Sequence, residues 1–396
     1  MIKVMTAYTT EPTDADYAVQ EILTQIEDDL LANSIGFLFC NFEFLESSLV
    51  RKLCDRLPFN VLGCVSQGFA VKDAGETFML VLMVLSSDDV EFVSGISESL
   101  TSGDEGVVEA LYRDLLAKGP GSTEPAMMFA FPPMCTGLTG NAIVRTLDRV
   151  SVGVPVFGSI AVDHAAELRS PRTIYNGEYY ADRLPLVLLW GNVKPRFFAC
   201  SLPRGVRITQ NAEITEAEGN RLISINNMPA AAFMEKIGIG NQGDVNIMYA
   251  FPIVVDSHDG SEPRLIAISK TDSGGALISE QDVPTSGTVT IGTIDEKLVI
   301  ESTRYLMDKI KKASVQNGLL VFSCASRVFT LQDPIKEMTL FRQEFADLPR
   351  PFLYTYSGGE ICPLYKSEKD KSEKDEPGED KPVNSFHQFT VVACAF

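Results

Sequence analysis

The sequence predicts an α+β fold of two modules, each a mixed or largely antiparallel sheet flanked by helices. Short apolar runs typical of buried strands alternate with segments whose apolar residues recur at helical spacing. A strand, a helix and a second strand ending in small residues follow one another twice, at residues 36–66 and 126–159. Because such units pair their strands in parallel, the N-terminal sheet should be mixed.

The first half of the chain opens with a predicted helix over 15–34. Ala18, Ile22 and Ile26 share one face of this helix, and Asp14 is the expected cap. The other elements expected here are strands at 34–41, 59–66, 78–85, 126–131, 154–158, 184–190 and 196–201, and helices at 44–56, 107–118 and 139–150. We expect the last two strands to be antiparallel neighbours.

The polar composition of 202–225 marks a boundary between a domain at 33–225 and a second domain at 226–396. Pro229 suits the first turn of a helix, where its missing N–H leaves no bond unmade. The elements expected in the second domain are strands at 247–256, 263–270, 276–279, 287–294, 318–324, 351–356 and 389–395, and helices at 228–236, 295–312 and 335–346. A charged repeat of Lys-Ser-Glu-Lys-Asp predicts a disordered loop at 366–385.

Charge and composition exclude several classes of partner. The chain has 34 Lys and Arg against 53 Asp and Glu, a net charge of −19, without a basic cluster, which argues against nucleic acid and against an anionic membrane surface. No apolar run approaches the roughly 20 residues that cross a bilayer, and the N-terminus lacks the pattern of a signal peptide. We therefore expect a cytoplasmic protein. Its 8 widely spaced cysteines predict buried, reduced thiols rather than a disulfide framework or a zinc site.

Catalytic motifs are missing from the sequence, and we expect no enzyme. There are only 3 histidines, and neither a phosphate-binding loop of Walker type nor a Gly-x-Ser-x-Gly elbow occurs. One enzymatic alternative stays open. Cys324 could be a nucleophile activated by Arg327 and a histidine such as His387.

The densest group of polar residues follows two strands in the second domain. Ser323, Cys324 and Arg327 come at the end of one strand, and Glu360 follows the next. Arg327 and Glu360 could pair with each other. They could instead bind the carboxylate and the ammonium of a zwitterionic ligand, since the guanidinium fork matches a carboxylate.

Several short motifs resemble the FIST family (F-box and intracellular signal transduction proteins), in both its N-terminal and its C-terminal domain. The motifs that carry the resemblance are Gly36-Phe-Leu-Phe, 59–68, 154–163, Tyr175-Asn-Gly, Met228-Pro-Ala-Ala, 264–272, Ser323-Cys-Ala-Ser-Arg, 354–361 and Phe386-His-Gln-Phe-Thr. The chain departs from the family pattern at Ser159 and Ser326, where glycine is usual, and lacks an asparagine in the last motif. Because serine tolerates positive φ less well than glycine, the family's ligand site could be altered at these turns.

The resemblance implies a non-catalytic, stand-alone sensory protein. Members are proposed to bind small molecules, amino acids among them, and we expect the output to come from a separate signalling partner such as a kinase. The residues expected to bind the ligand are Arg327, Glu360, Cys324, Ser323, Tyr356, Gly158, Asp163 and His164.

Two alternatives to this function remain. One is a haem-based sensor of nitric oxide, as some family members are, with His164 as the axial ligand. The other is a protein-interaction module that binds no ligand.

Overall fold

The computed structural model describes most of the chain. The described residues are 2–26, 30–121, 123–134, 137–163, 171–202, 212–242, 245–246, 251–258, 264–293, 295–313, 315, 317–347, 350–364 and 383–396. The charged repeat and His164 lie outside them. The predicted loop at 366–385 is too long at its C-terminal end, because a strand begins at Val383.

The described helices occur in all parts of the chain. They are α1 (Ala15–Thr24), α2 (Glu43–Glu46), α3 (Leu49–Arg56), α4 (Glu105–Lys118), α5 (Gly140–Ser151), α6 (Ala230–Lys236), α7 (Glu296–Lys312), α8 (Ala325–Leu331) and α9 (Pro334–Phe345). None of the described helices has the length and apolar character to cross a bilayer.

The described strands are short. They are β1 (Lys3–Thr9), β2 (Asn33–Cys40), β3 (Val61–Val65), β4 (Phe69–Val71), β5 (Gly75–Glu76), β6 (Leu80–Ser87), β7 (Val90–Ile96), β8 (Met127–Ala130), β9 (Val156–Ser159), β10 (Thr173–Tyr175), β11 (Glu178–Tyr180), β12 (Pro185–Gly191), β13 (Arg196–Ser201), β14 (Ala212–Glu218), β15 (Arg221–Ile225), β16 (Met228–Pro229), β17 (Asn241–Gln242), β18 (Val245–Asn246), β19 (Ile253–Asp256), β20 (Arg264–Ile266), β21 (Ile268–Thr271), β22 (Leu277–Ser279), β23 (Thr288–Ile291), β24 (Leu319–Cys324), β25 (Phe352–Ser357), β26 (Glu360–Leu364), β27 (Val383–His387) and β28 (Thr390–Ala395).

Three six-stranded sheets share one strand arrangement. Their orders are β1-β6-β2-β3-β10-β11, β7-β12-β8-β9-β26-β27 and β13-β28-β24-β25-β4-β5. In each sheet the two central strands are parallel and every other pair is antiparallel. The α+β class with mixed sheets is thus confirmed. The two predicted strand–helix–strand units are also confirmed as parallel pairs, β2 with β3 and β8 with β9, although they lie in different sheets.

Among the described residues, these three sheets are built by three structural repeats that exchange hairpins in a cycle. Each repeat supplies the first four strands of one sheet, in the order just given, and a hairpin that follows its second parallel strand. Hairpin β4–β5 of the first repeat completes the sheet of the third, β10–β11 of the second completes that of the first, and β26–β27 of the third completes that of the second. Strands from both predicted domains therefore share sheets.

A phenylalanine from each repeat meets the other two where the inner faces of the sheets converge. Phe39, Phe131 and Phe322 pack edge to face, with ring centroids 5.5 Å apart for Phe39 and Phe131, 5.4 Å for Phe39 and Phe322, and 6.4 Å for Phe131 and Phe322. All three rings are fully buried in one apolar core. The helices cover the outer faces with three further apolar clusters, one for each sheet.

Two glycines explain why the parallel strands of the first two repeats pair closely. A Cβ atom at Gly63 would lie 1.9 Å from the carbonyl oxygen of Leu38, and one at Gly158 would lie 1.8 Å from that of Ala130. No side chain fits at either position. In the third repeat the residue at the corresponding position of the second parallel strand is Tyr354. Its side chain packs into the apolar cluster on the outer face of that sheet.

The third repeat carries an insertion between β13 and α7. Residues 212–291, which we call the cap, contain β14 to β23 and α6 and surround an apolar core of their own. The remaining described residues form the body. The predicted domain boundary at 225/226 falls in the turn between β15 and β16, inside the cap, and the boundary itself stays a prediction.

Candidate functional site

Arg327 forms a buried ion pair with Glu337, not with Glu360, so the predicted pairing with Glu360 is wrong. Its Nη2 lies 2.7 Å from Oε1 of Glu337, and neither side chain has exposed surface. Arg327 lies on α8, and Glu337 lies 10 residues further along the chain, in the first turn of α9. Pro334 in the first turn of α9, with Asp333 as its cap, starts that helix so that Glu337 faces α8.

The surrounding polar groups hold the guanidinium in place. Nη2 of Arg327 also donates to the Val299 carbonyl oxygen at 3.1 Å, to Ser302 at 3.0 Å and to Thr303 at 2.7 Å. Burial opposes the charge on Arg327, but Glu337 outweighs it and raises the pKa of the guanidinium. Burial likewise acts to raise the pKa of Glu337, and Arg327 with its hydrogen bonds holds that pKa below its usual value.

Two other predicted site residues belong to this structural cluster. The Ser323 hydroxyl donates to Oε2 of Glu337 at 2.9 Å. Tyr356 packs in the apolar cluster beneath α7 and α9, and its hydroxyl donates to the Pro334 carbonyl oxygen at 3.3 Å. Arg327, Ser323 and Tyr356 thus lie on the helix side of the sheet, where they join α7, α8 and α9 to β24 and β25.

Cys324 lies on the opposite, inner side of that sheet, and Glu360 lies nearby on β26 of the sheet β7-β12-β8-β9-β26-β27. Cys324 follows Ser323 along β24, and successive strand residues face opposite sides. Both oxygens of Glu360 are buried without a hydrogen bond of ordinary geometry, and the nearby Ser357 hydroxyl donates to the Gly359 carbonyl oxygen. Burial raises the pKa of Glu360 well above its usual value, and Ser357, Arg327 and Cys324 counteract this only in part. Glu360 is paired in register with Ser159, next to the predicted site residue Gly158.

A small pocket lies where the carboxyl ends of the parallel strands converge beneath the cap. We call it the axial pocket. Its volume is about 40 Å³, enough for a few water molecules. The polar residues that line it are Gln67, Ser269, Glu280, Cys324, Ser326, Ser357 and Gln388. Burial raises the pKa of Glu280 to about 7 and that of Cys324 to about 12. A thiol held protonated in this way is a poor nucleophile.

A much larger cavity, of about 790 Å³, lies between the cap and the body. We call it the wide cavity. Its charged and amide-bearing lining residues are Asn141, Arg145, Asp148, Arg264, Gln281, Asp282, Asn384, His387 and Gln388. Asp148 accepts a hydrogen bond from Asn384, and Asp282 pairs with Arg145. Arg264 forms no ion pair with any residue that the structure describes, and it is exposed to the cavity side of β20.

Gln388 lines both the wide cavity and the axial pocket. Its side-chain oxygen accepts hydrogen bonds from the Ala267 amide and from the Gln281 side chain, each at 2.7 Å. The neighbouring His387 donates from Nε2 to the Cys362 carbonyl oxygen at 3.0 Å, and burial lowers its pKa. Sequence reasoning quoted the segment Phe386–Thr390 as a motif but did not place Gln388, Arg264 or Gln281 in the site.

The haem alternative depends on His164, which the structure does not describe, while its neighbour Asp163 is buried at the end of the stretch that follows β9. Haem needs an apolar slot with an axial ligand, whereas the wide cavity is lined mostly by polar and charged side chains. The wide cavity therefore does not fit haem. Within the same residues, no group of three or more His, Cys, Asp or Glu side chains is placed to hold a metal ion.

Comparison with known families finds two matches in sequence along the chain. The model of the FIST N domain matches residues 34–228, and that of the FIST C domain matches 229–363. The curated proteins contain no match to this chain. The two matches meet inside the cap.

Proposed function

The chain belongs to the FIST family, and from this premise we propose that it is a sensor that binds a small zwitterionic ligand, such as a free amino acid, in the wide cavity. FIST domains are associated with signal transduction and with small-ligand sensing in general. A separate signalling partner such as a kinase then reads the bound state. We place the binding step in the cytoplasm and assign the protein no reaction of its own.

The observation that carries this proposal is the wide cavity itself. Its volume of about 790 Å³ lies within the range of about 300–1,000 Å³ that is typical of small-ligand sites. The lining offers Arg264 for a carboxylate and Asp148 and Asp282 for an ammonium, with amide groups between them. The lining thus offers an oppositely charged side chain for each of the two charges of a zwitterion.

Binding is favoured over catalysis by the protonation state of the Cys324 thiol, the nucleophile that the sequence suggested. Burial, together with the nearby side chain of Glu360, raises the pKa of Cys324 to about 12. The thiolate is therefore scarce at neutral pH. Arg327, the residue named as its activator, is committed to Glu337.

A thermal-shift screen of the free amino acids, followed by calorimetric titration of any hit, tests the proposal. A bound ligand raises the unfolding free energy by RT ln(1 + [L]/Kd), and Arg264→Ala should remove that gain. Arg113→Ala is the matched control, because Arg113 is an exposed arginine on α4 outside the cavity.

Two results would contradict the proposal. One is a flat response of the wild-type protein to the whole panel, as a protein-interaction module without a ligand would give. The other is a stabilisation that Arg264→Ala leaves at its full size.

A further inference from the structure

The cap has the properties of an independent folding unit. It carries its own apolar core, built from residues of β14, β15, β19, β22, β23 and α6. The Arg221–Asp272 ion pair, at 2.7 Å, lies wholly within it. Among the described residues, no strand or helix of the cap packs along one of the body. The contacts between the cap and the body are formed by loops and by individual side chains.

The apolar part of this junction is small. Leu265 and Ala267 of the cap meet Leu202, Val299 and Phe389 of the body in the smallest of the apolar clusters. The wide cavity and the axial pocket also lie along this boundary. Because unfilled space forfeits packing energy, we expect this boundary to open at a lower free energy than the paired strands inside the cap.

A first polar contact holds the cap to the N-terminus of α5. Asp282 of the cap pairs with Arg145 and accepts a hydrogen bond from Thr139 at 3.1 Å. The Gly140 amide donates to the carbonyl oxygen of Glu280 at 3.1 Å. Since the first amides of a helix have no acceptor within it, this amide depends on the cap for its partner.

A second polar contact holds the cap to the turn between β27 and β28. There the Gln388 side-chain oxygen accepts from the Ala267 amide and from Gln281, both of the cap. Phe389, next along this turn, has a φ of 55°, which a non-glycine residue adopts at a cost. The turn that binds the cap therefore contains a residue in the left-handed region of backbone conformation.

Both contacts face the ligand site. Arg145, Asp282, Gln281 and Gln388 all line the wide cavity. A ligand bound in the wide cavity would lie beside both polar contacts that hold the cap to the body. It would therefore change the docking free energy of the cap, since it binds the docked and undocked states unequally.

We infer that the cap undocks from the body and docks again as one unit, and that occupancy of the wide cavity sets the docked fraction. The cap is then the part of the molecule that reports the ligand to a partner. The second half of this inference rests on the proposed function, whereas the first half does not.

Hydrogen exchange of the Gly140 and Ala267 amides in the full chain without added ligand tests the first half. Both amides bond only across the boundary, so they should exchange with one common opening free energy. That free energy should be lower than the value for the paired strands β19 and β23 inside the cap. Exchange of Gly140 and Ala267 only together with those strands would overturn the inference.

Two variants test whether the cap moves as a unit. Asp282→Asn and Gln388→Ala should each speed exchange at both amides several-fold, although each variant touches only one contact. Asp272→Asn is the matched control, because Asp272 is an equally exposed acid, 26% against 28% for Asp282, and its arginine partner lies within the cap. Faster exchange confined to the amide beside each substitution would show local fraying and overturn the proposal.

The amino-acid panel tests the second half. A compound that stabilises the protein should slow exchange at Gly140 and Ala267 together and leave β19 and β23 unchanged. A compound that binds without slowing them would overturn the coupling while the proposed function stands. A panel without any hit would defeat the proposed function and leave the exchange result in the free protein to decide the cap motion.

Discussion

The rings of Phe39 and Phe322 meet edge to face 5.4 Å apart, although one lies in the first structural repeat and the other in the third. Phe131 of the second repeat contacts both. The centre of the body therefore consists of residues that no single repeat can bury alone. Stability arises where the three repeats meet.

Truncation of any of these three rings should destabilise the protein by a similar amount. Phe39→Ala, Phe131→Ala and Phe322→Ala each leave a cavity at the same level of the shared core, and we expect a loss of about 3–5 kcal/mol in unfolding free energy. Urea unfolding of the three variants measures it. Phe78→Ala is the control, since Phe78 is 37% exposed and should cost far less. One strongly tolerant position among the three would contradict the equivalence of the repeats.

Glu337→Gln should destabilise the protein by about 3–5 kcal/mol, because it leaves the buried charge of Arg327 uncompensated. Glu344→Gln removes a half-exposed ion pair with Lys311 and should cost at most about 1 kcal/mol. The paired substitution Arg327→Met with Glu337→Leu should recover part of the loss, since it leaves no unpaired charge. Urea unfolding distinguishes these outcomes, and a double variant weaker than Glu337→Gln would refute the explanation.

The pH dependence of stability should reveal Glu280. Burial raises the pKa of Glu280 in the folded protein to about 7, above the unfolded value of about 4.3. Its contribution to stability is therefore complete below about pH 4.3 and is lost as the pH rises to about 7.

Glu280→Gln stays neutral throughout this range. We expect it to gain about 3 kcal/mol on the wild-type protein between pH 4 and pH 8, in unfolding curves measured at each pH. Glu216→Gln, at an exposed position of β14, controls for the loss of one carboxyl charge. Wild-type and Glu280→Gln curves that run parallel over this range would show that Glu280 is not the titrating group.

Periodicity in the sequence predicted local structure well where one face of an element is buried. The two strand–helix–strand units, at 36–66 and 126–159, could be recognised from their apolar strands and from the small residues that end each unit. The predicted helix at 15–34 is too long, because α1 ends at Thr24 and Asn33 already belongs to β2. Leu30 and Leu31 continue the helical spacing although they follow the end of α1. Leu30 packs against the same apolar cluster as that helix, whereas Leu31 is 37% exposed.

The pairing of strands that are distant in the chain could not be predicted from the sequence. The third repeat has Tyr354 where the others have glycine, and the cap separates β13 from α7, so its likeness to the first two is hidden. The expectation that residues 184–190 and 196–201 are antiparallel neighbours is wrong, because β12 pairs with β7 and β8 while β13 pairs with β28. Adjacent strands that belong to different repeats join different sheets.

The contacts of the candidate site residues were likewise not predictable from the sequence. Arg327 and Glu360 both follow buried strands, which suggested a pair, but α8 turns Arg327 toward α9 and Glu337. The partner on α9 could not be recognised, since Glu337 has the helical spacing of a surface residue. Gln388 and Arg264 line the same cavity only because the cap lies against the turn between β27 and β28.

The exchange of hairpins predicts that the repeats cannot fold separately. A chain cut between Asp88 and Asp89, an exposed turn between β6 and β7, divides the first repeat from the other two. The fragment 89–396 loses Phe39 from the core and hairpin β4–β5 from the sheet of the third repeat. We expect it to be insoluble or to lack a cooperative unfolding transition.

Co-expression of fragments 1–88 and 89–396 should restore a folded complex, because the strands of one complete the sheets of the other. Co-purification followed by thermal unfolding checks this, and the full chain cleaved after folding at an inserted protease site is the control. If 89–396 alone unfolds cooperatively as a monomer at the temperature of the intact chain, the hairpin and the shared phenylalanine core do not hold the repeats together. The cyclic exchange would then be a feature of topology without energetic consequence.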